Sequence, residues 1–128
     1  MGELTANVSW LGVIAGAIVA FLVGWIWFSE RLFGTKWAEG AGVEMGSANE
    51  MPMGAMGAQA FGLLLMSWFV GVTAANNALL TVILATIAFS VLHWSGGAFA
   101  KKSLYSRNVE SGFWIAALAI MIVAQGIF

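Results

Sequence analysis

From Gly54 to Ala100 the chain carries no Asp, Glu, Lys or Arg. As one helix, rising about 1.5 Å per residue, that run would be roughly 70 Å long, more than twice the ~30 Å core of a bilayer. It must therefore fold back on itself. Only TAANNA, residues 73–78, interrupts its apolar character, and Asn-Asn suits a tight turn. Helices are expected at 54–75 and 78–100. Residues 8–29, VSWLGVIAGAIVAFLVGWIWFS, hold another uncharged span, and GFWIAALAIMIVAQGIF, 112–128, a fourth. KKSLYSRNVES before it reads as a charged loop. The expectation is an all-α, integral membrane four-helix bundle in a single domain over 1–128. Composition points the same way: 61% of the 128 residues are hydrophobic and 9% charged, against about 25% charged in soluble domains.

The basic residues orient the bundle. With four spans, Arg31 and Lys36 share one side with Lys101, Lys102 and Arg107, and the other side has no Lys or Arg. Cytoplasmic loops hold the excess of Lys and Arg. This places both termini outside the cytoplasm, in the periplasm of a bacterial inner membrane. MGELTANVSW has no basic residue, so the first apolar segment is expected to be a retained helix and not a cleaved signal. A net charge of −1 leaves no basic excess for nucleic acid. With no cysteine, disulfides, thiolate metal sites and a cysteine nucleophile are excluded.

Where the first helix leaves the membrane, GWIWFSERLFGTKW packs aromatic rings around the first charges. Trp25, Trp27, Phe33 and Trp37 are expected to anchor in the headgroup layer with Arg31 and Lys36 snorkelling, and Trp114 to lie at the same level. A short interfacial helix is expected to lay Leu32, Phe33 and Trp37 on lipid.

The same stretch carries a family resemblance. Asn7 before an apolar helix, then Gly24-x-x-Trp27-Phe28-Ser29, then Phe33-Gly34-x-Lys36-Trp37, resembles the small bacterial membrane proteins called domain of unknown function 1761. Members usually have Tyr-Ser-Pro where this chain has Phe28-Ser29-Glu30. The resemblance implies a four-helix inner-membrane protein and brings no activity with it.

Candidate chemistry is sparse. Intramembrane charge is the usual mark of transport or proton relay, and all eleven charged side chains are expected in termini or loops. Gln59, Ser67, Thr81, Thr86, Ser90 and Gln125 should make interhelical or backbone hydrogen bonds. His93, the single histidine, falls in the cytoplasmic half of the third span. It is the one candidate for pigment or haem ligation, set against a neutral ring hydrogen-bonded to a neighbouring helix. Met51, Met53 and Met56 are soft enough for Cu(I) but have no Cys or His beside them, so no metal site and no cofactor is expected. The Gly-rich loop lacks a Walker lysine, which excludes a phosphate cradle.

Small residues recur every four positions: Gly12, Gly16, Ala20 and Gly24 on the first helix, and Gly54, Ala58 and Gly62 on the second. Gly112, Ala116 and Ala124 share a row of the fourth. Such rows let helix backbones approach closely, so they are expected to form internal seams or contacts with another membrane protein. The reading that follows is a non-catalytic accessory or assembly subunit of a larger membrane complex, respiratory or photosynthetic. Its partners would be the lipid bilayer and other membrane subunits or itself. The alternatives are a homo-oligomeric transporter of a small molecule, metal or lipid, and single pigment or haem binding through His93.

Overall fold

A computed structural model describes residues 2–29, 32–42 and 54–128, with the backbone of Met53. Its helices run in the order α1 (Gly2–Thr5), α2 (Trp10–Trp27), α3 (Gly34–Ala41), α4 (Met53–Ala75), α5 (Leu79–Phe99) and α6 (Leu104–Ile127). No strand occurs among the described residues. Among the described residues four helices, α2, α4, α5 and α6, are long and apolar enough to cross a membrane. The protein is all-α, with the four-helix layout that its apolar runs require.

Local chemistry sets the helix ends. The Ser9 hydroxyl accepts from Gly12 N at 3.2 Å and caps α2. At the α4–α5 turn Asn77 takes φ 54, a left-handed conformation that Asn tolerates better than most residues. Ala78 N then closes onto Thr73 O at 2.7 Å. Gly42, φ 73, ends α3.

The fourth spanning helix departs from expectation. It starts at Leu104, eight residues before the expected 112, with Ser103 Oγ capping Ser106 N at 3.1 Å. The supposed charged loop is thus largely two helical turns, which hold Arg107 and Glu110. Lys36 and Glu39 lie on α3. The expectation that every charge sits in a terminus or loop is therefore wrong. Density of charge is a poor boundary marker where a helix runs beyond the hydrocarbon layer, because its outer turns need no apolar side chains.

α6 is the hub, packed against α2, α3, α4 and α5. Ala20, Leu63, Val70, Val82, Phe113, Ala117 and Met121 form the core. The α2 row of small residues is an internal seam. A Cβ on Gly16 would lie 2.8 Å from Ser67 Oγ and 3.3 Å from Met121 Cα, and one on Gly24 would lie 2.9 Å from Phe113 Cζ. Gly12 meets Gln125 in the same way, and Ala20 is fully buried. The α4 row does not behave so. No described residue lies within 4 Å of a Cβ built on Gly54 or Gly62, and Ala58 is exposed. α4 meets α2 with its other face, through Leu63, Ser67 and Gly71.

The described basic residues cluster at one end. There α3 is stitched to the α5–α6 turn, with Ser103 N donating to Gly40 O at 3.0 Å and Ser106 Oγ to Trp37 O at 2.6 Å. At the other end Trp68 Nε1 donates to Leu4 O at 2.8 Å.

Candidate functional site

Glu110 is the centre of the polar chemistry. It sits two turns into α6 and is 7% exposed. Three segments converge on its carboxylate. Lys102 Nζ, from the α5–α6 turn, reaches Oε1 at 3.1 Å and Oε2 at 2.9 Å. Trp37 Nε1, from α3, donates to Oε2 at 2.9 Å. His93 Nε2, from α5, lies 3.0 Å from Oε1. Lys and the indole N–H can only donate, so the carboxyl oxygens act as their acceptors, and the Lys102 ammonium on both oxygens favours the ionised form. A buried charge is tolerated only when paired and hydrogen-bonded, and Lys102 supplies the matching cation.

An aromatic layer surrounds the cluster, and it revises the expected anchor belt. Trp25 is exposed, as a headgroup anchor requires. Trp27 instead donates Nε1 to Val109 O at 3.0 Å and packs on Phe33 at 4.9 Å between ring centroids. Trp37 turns inward to Glu110, and Phe28 stacks edge-on against it at 4.9 Å. Phe33 is thus held against Trp27, and of the residues expected on lipid only Leu32 is exposed. The cause is the long α6: its outer turns offer a carbonyl and a carboxylate to the indole N–H groups, and a buried Trp seeks such partners. Lys36 lies over the Tyr105 ring at 5.6 Å. Trp114 borders His93, with ring centroids 6.3 Å apart and planes at 72°. Arg31 and Met51 lie outside the described residues, as does the Met53 side chain.

The motif around Gly24 and Trp37 acquires a structural reason. Gly34 N donates to Ser29 O at 2.8 Å, and a Cβ on Gly34 would collide with the backbone of Phe28 and Ser29. Gly24 makes room for the Phe113 ring. Together they fold α3 back so that Trp37 can cover Glu110.

Next to the cluster, a groove of about 430 Å³ runs between α4 and α5. Its walls are Leu65, Met66, Phe69, Ala85, Phe89 and Trp114, with Thr86 and His93 as the polar lining. Leu65, Phe69 and Phe89 are exposed, so the groove opens sideways. Gly62 lies four residues before Met66 and seven before Phe69, on the same face of α4. The open small-residue row therefore continues the groove's wall towards the charged end. His93 joins the two features: it lines the groove, with its side chain 44% exposed, while Nε2 is held by Glu110. A second groove of about 320 Å³, between α2 and α4, is lined only by apolar side chains such as Ile14, Phe21 and Leu64. It has nothing to orient a guest.

Sequence reasoning singled out His93, Trp37 and Trp114 and missed Glu110, which organises them. Four long apolar helices with a paired charge cluster at one end define a multi-pass membrane protein. Over residues 11–126 the chain matches the family described as protein of unknown function (DUF1761), and it belongs to that family. No curated protein and no solved structure matches it.

Proposed function

We propose that this is a non-catalytic protein of the bacterial cytoplasmic membrane that takes a lipophilic molecule from the bilayer into the α4–α5 groove. The observation that carries the reading is the groove itself: apolar, laterally open, and provided with one oriented polar side chain. Its volume falls within the ~300–1,000 Å³ usual for small-molecule sites, which pair apolar walls with a few placed polar groups. The closed pairing of Glu110 with Lys102 supports binding over ion-coupled transport, since no charge in the cluster is left to travel. A tetrapyrrole on His93 fits poorly. Nε2 is engaged, and the other ring nitrogen sits beside the residue's own Cβ, where a macrocycle would meet the helix.

Lipid extraction of protein purified in mild detergent, followed by mass spectrometry, tests the reading. A neutral lipophile should be recovered at near-stoichiometric yield. Ala85→Phe, which fills the groove, should remove it without unfolding the protein. Equal recovery from both proteins would sink the idea.

The accessory-subunit reading has one observation in its favour, the open row of Gly54, Ala58 and Gly62. Gly costs about 1 kcal/mol relative to Ala in a helix, and a lipid-facing position gives no return for it, whereas a partner helix does. Partner recovery in mild detergent with and without Gly62→Leu tests that reading.

The clustering of Lys36, Lys101, Lys102 and Arg107 at one end supports placing that end in the cytoplasm and both termini in the periplasm. Thr35 and Asn76 are exposed at opposite ends. In intact cells Thr35→Cys should resist a membrane-impermeant thiol reagent and Asn76→Cys should react. Labelling at position 35 would reverse the orientation.

A further inference from the structure

We infer that the α4–α5 groove selects lipophiles ending in a neutral hydroxyl donor, with the Nδ1 atom of His93 accepting the hydroxyl hydrogen. The inference rests on the groove being a binding site and names the chemistry of its guest. Glu110 settles the state of the imidazole. Its two oxygens are acceptors already engaged by Lys102 Nζ and Trp37 Nε1, so Nε2 can meet Oε1 at 3.0 Å only as an N–H donor. Lys102 already balances the carboxylate charge. With that charge already matched by Lys102, the carboxylate calls for no second cation, and we take the ring as neutral. A neutral imidazole with its proton on Nε2 carries its lone pair on Nδ1. Nδ1 has no partner among the described residues, and the side chain, 44% exposed, lines the groove.

The groove thus ends in a fixed hydrogen-bond acceptor. An anionic headgroup is refused, because Nδ1 offers it no proton and Glu110 lies directly behind. A carbonyl acceptor such as a quinone meets lone pair against lone pair. A phenol, quinol or alcohol on a hydrocarbon body satisfies both halves of the site, with its chain along Leu65, Phe69 and Phe89. Ser90, one turn from His93 and Thr86 on α5, has a buried hydroxyl with no partner among the described residues, which marks spare hydrogen-bonding capacity on the same helix face.

The test uses the full chain in phosphatidylcholine nanodiscs with isotopically labelled histidine, whose ring signals are unambiguous because the chain has one His. The probes are a decyl benzoquinol, its dimethyl ether, the matching quinone, and farnesol. A hydroxyl probe should shift the Nδ1 resonance saturably and leave the Nε2–H signal in place. The ether and the quinone should bind about tenfold more weakly, a difference of ~1.4 kcal/mol. Whichever of quinol and farnesol binds more tightly identifies the source of the hydroxyl. His93→Phe should bind quinol and ether alike, and Ala85→Phe should bind neither. Equal binding of quinol and ether to the native protein, still blocked by Ala85→Phe, overturns the hydroxyl inference and leaves the groove reading standing. A response at Nε2 in place of Nδ1 also overturns the inference. If no probe saturates and Ala85→Phe changes nothing, the groove reading falls and takes the inference with it. A particle of doubled mass with the groove shielded from every probe would assign the surface to a second copy and overturn both.

Discussion

Glu110→Ala is expected to lower the unfolding midpoint of the purified protein by on the order of 10 °C. The substitution strips Lys102, Trp37 and His93 of their shared acceptor at one stroke. Hydrogen bonds to a charged group contribute about 1.5–3 kcal/mol. The upper range for broken buried pairs does not apply, because the Lys102 side chain is 30% exposed and can turn to water. A net loss of roughly 2–3 kcal/mol follows, and each kcal/mol moves the midpoint of a domain this size by about 3–5 °C. Glu110→Gln should lie between the two, keeping one acceptor oxygen. Thermal scans in detergent micelles check the order, and an unchanged midpoint in Glu110→Ala would show that the cluster does not hold α3, α5 and α6 together.

Gly16→Leu should be the most damaging single change in the membrane layer. Its Cβ alone would press on Ser67 Oγ and on the Met121 backbone, where neither neighbour can withdraw far. Ser67 is buried and donates to Val13 O at 2.7 Å across the same crossing. Overpacking costs about 1–3 kcal/mol where a core can adjust and more where backbone is in the way. Loss of monodisperse protein on size-exclusion chromatography is the expected outcome. Gly62→Leu, with no described residue within 4 Å of its Cβ, should elute like the native protein. The pair is diagnostic because both glycines belong to rows of the same spacing. If both variants behaved alike, the seam assigned to α2 would be wrong.

Those rows also show what the residues could and could not announce. Spacing identified close-packing capacity on α2 and α4 equally, but only α2 uses it internally. Whether a row faces a neighbour depends on the rotation of the whole helix. That rotation is fixed for α4 by larger residues such as Leu63 and Val70, both fully buried. The spans themselves were legible because the hydrocarbon thickness acts on length and charge alone. Glu110 was missed for a related reason: charge density hid the periodicity. Ser106, Val109, Phe113, Ala117, Met121 and Ala124 are all buried, at helical intervals of three and four. Extending that face backwards from Phe113, with Ser103 as its cap, would have drawn Glu110 into the helix and under Trp37. The aromatic belt was misread in part because Trp satisfies two different environments, headgroup and buried acceptor, with the same atoms.

The stitching of α3 to the start of α6 has a consequence for synthesis. Trp27, Trp37 and the Trp37 carbonyl find their partners 82, 73 and 69 residues further along the chain. A growing polypeptide that has placed α2, α4 and α5 in the membrane still has no acceptor for either indole. Non-local contacts of this span form late, and the unfinished surface is prone to wrong association in the meantime. Emergence of Glu110 from the ribosome is therefore the event that locks the basic end. Nascent chains arrested before residue 110 should remain sensitive at α3 to a protease added from that side, and chains extended through α6 should become resistant there.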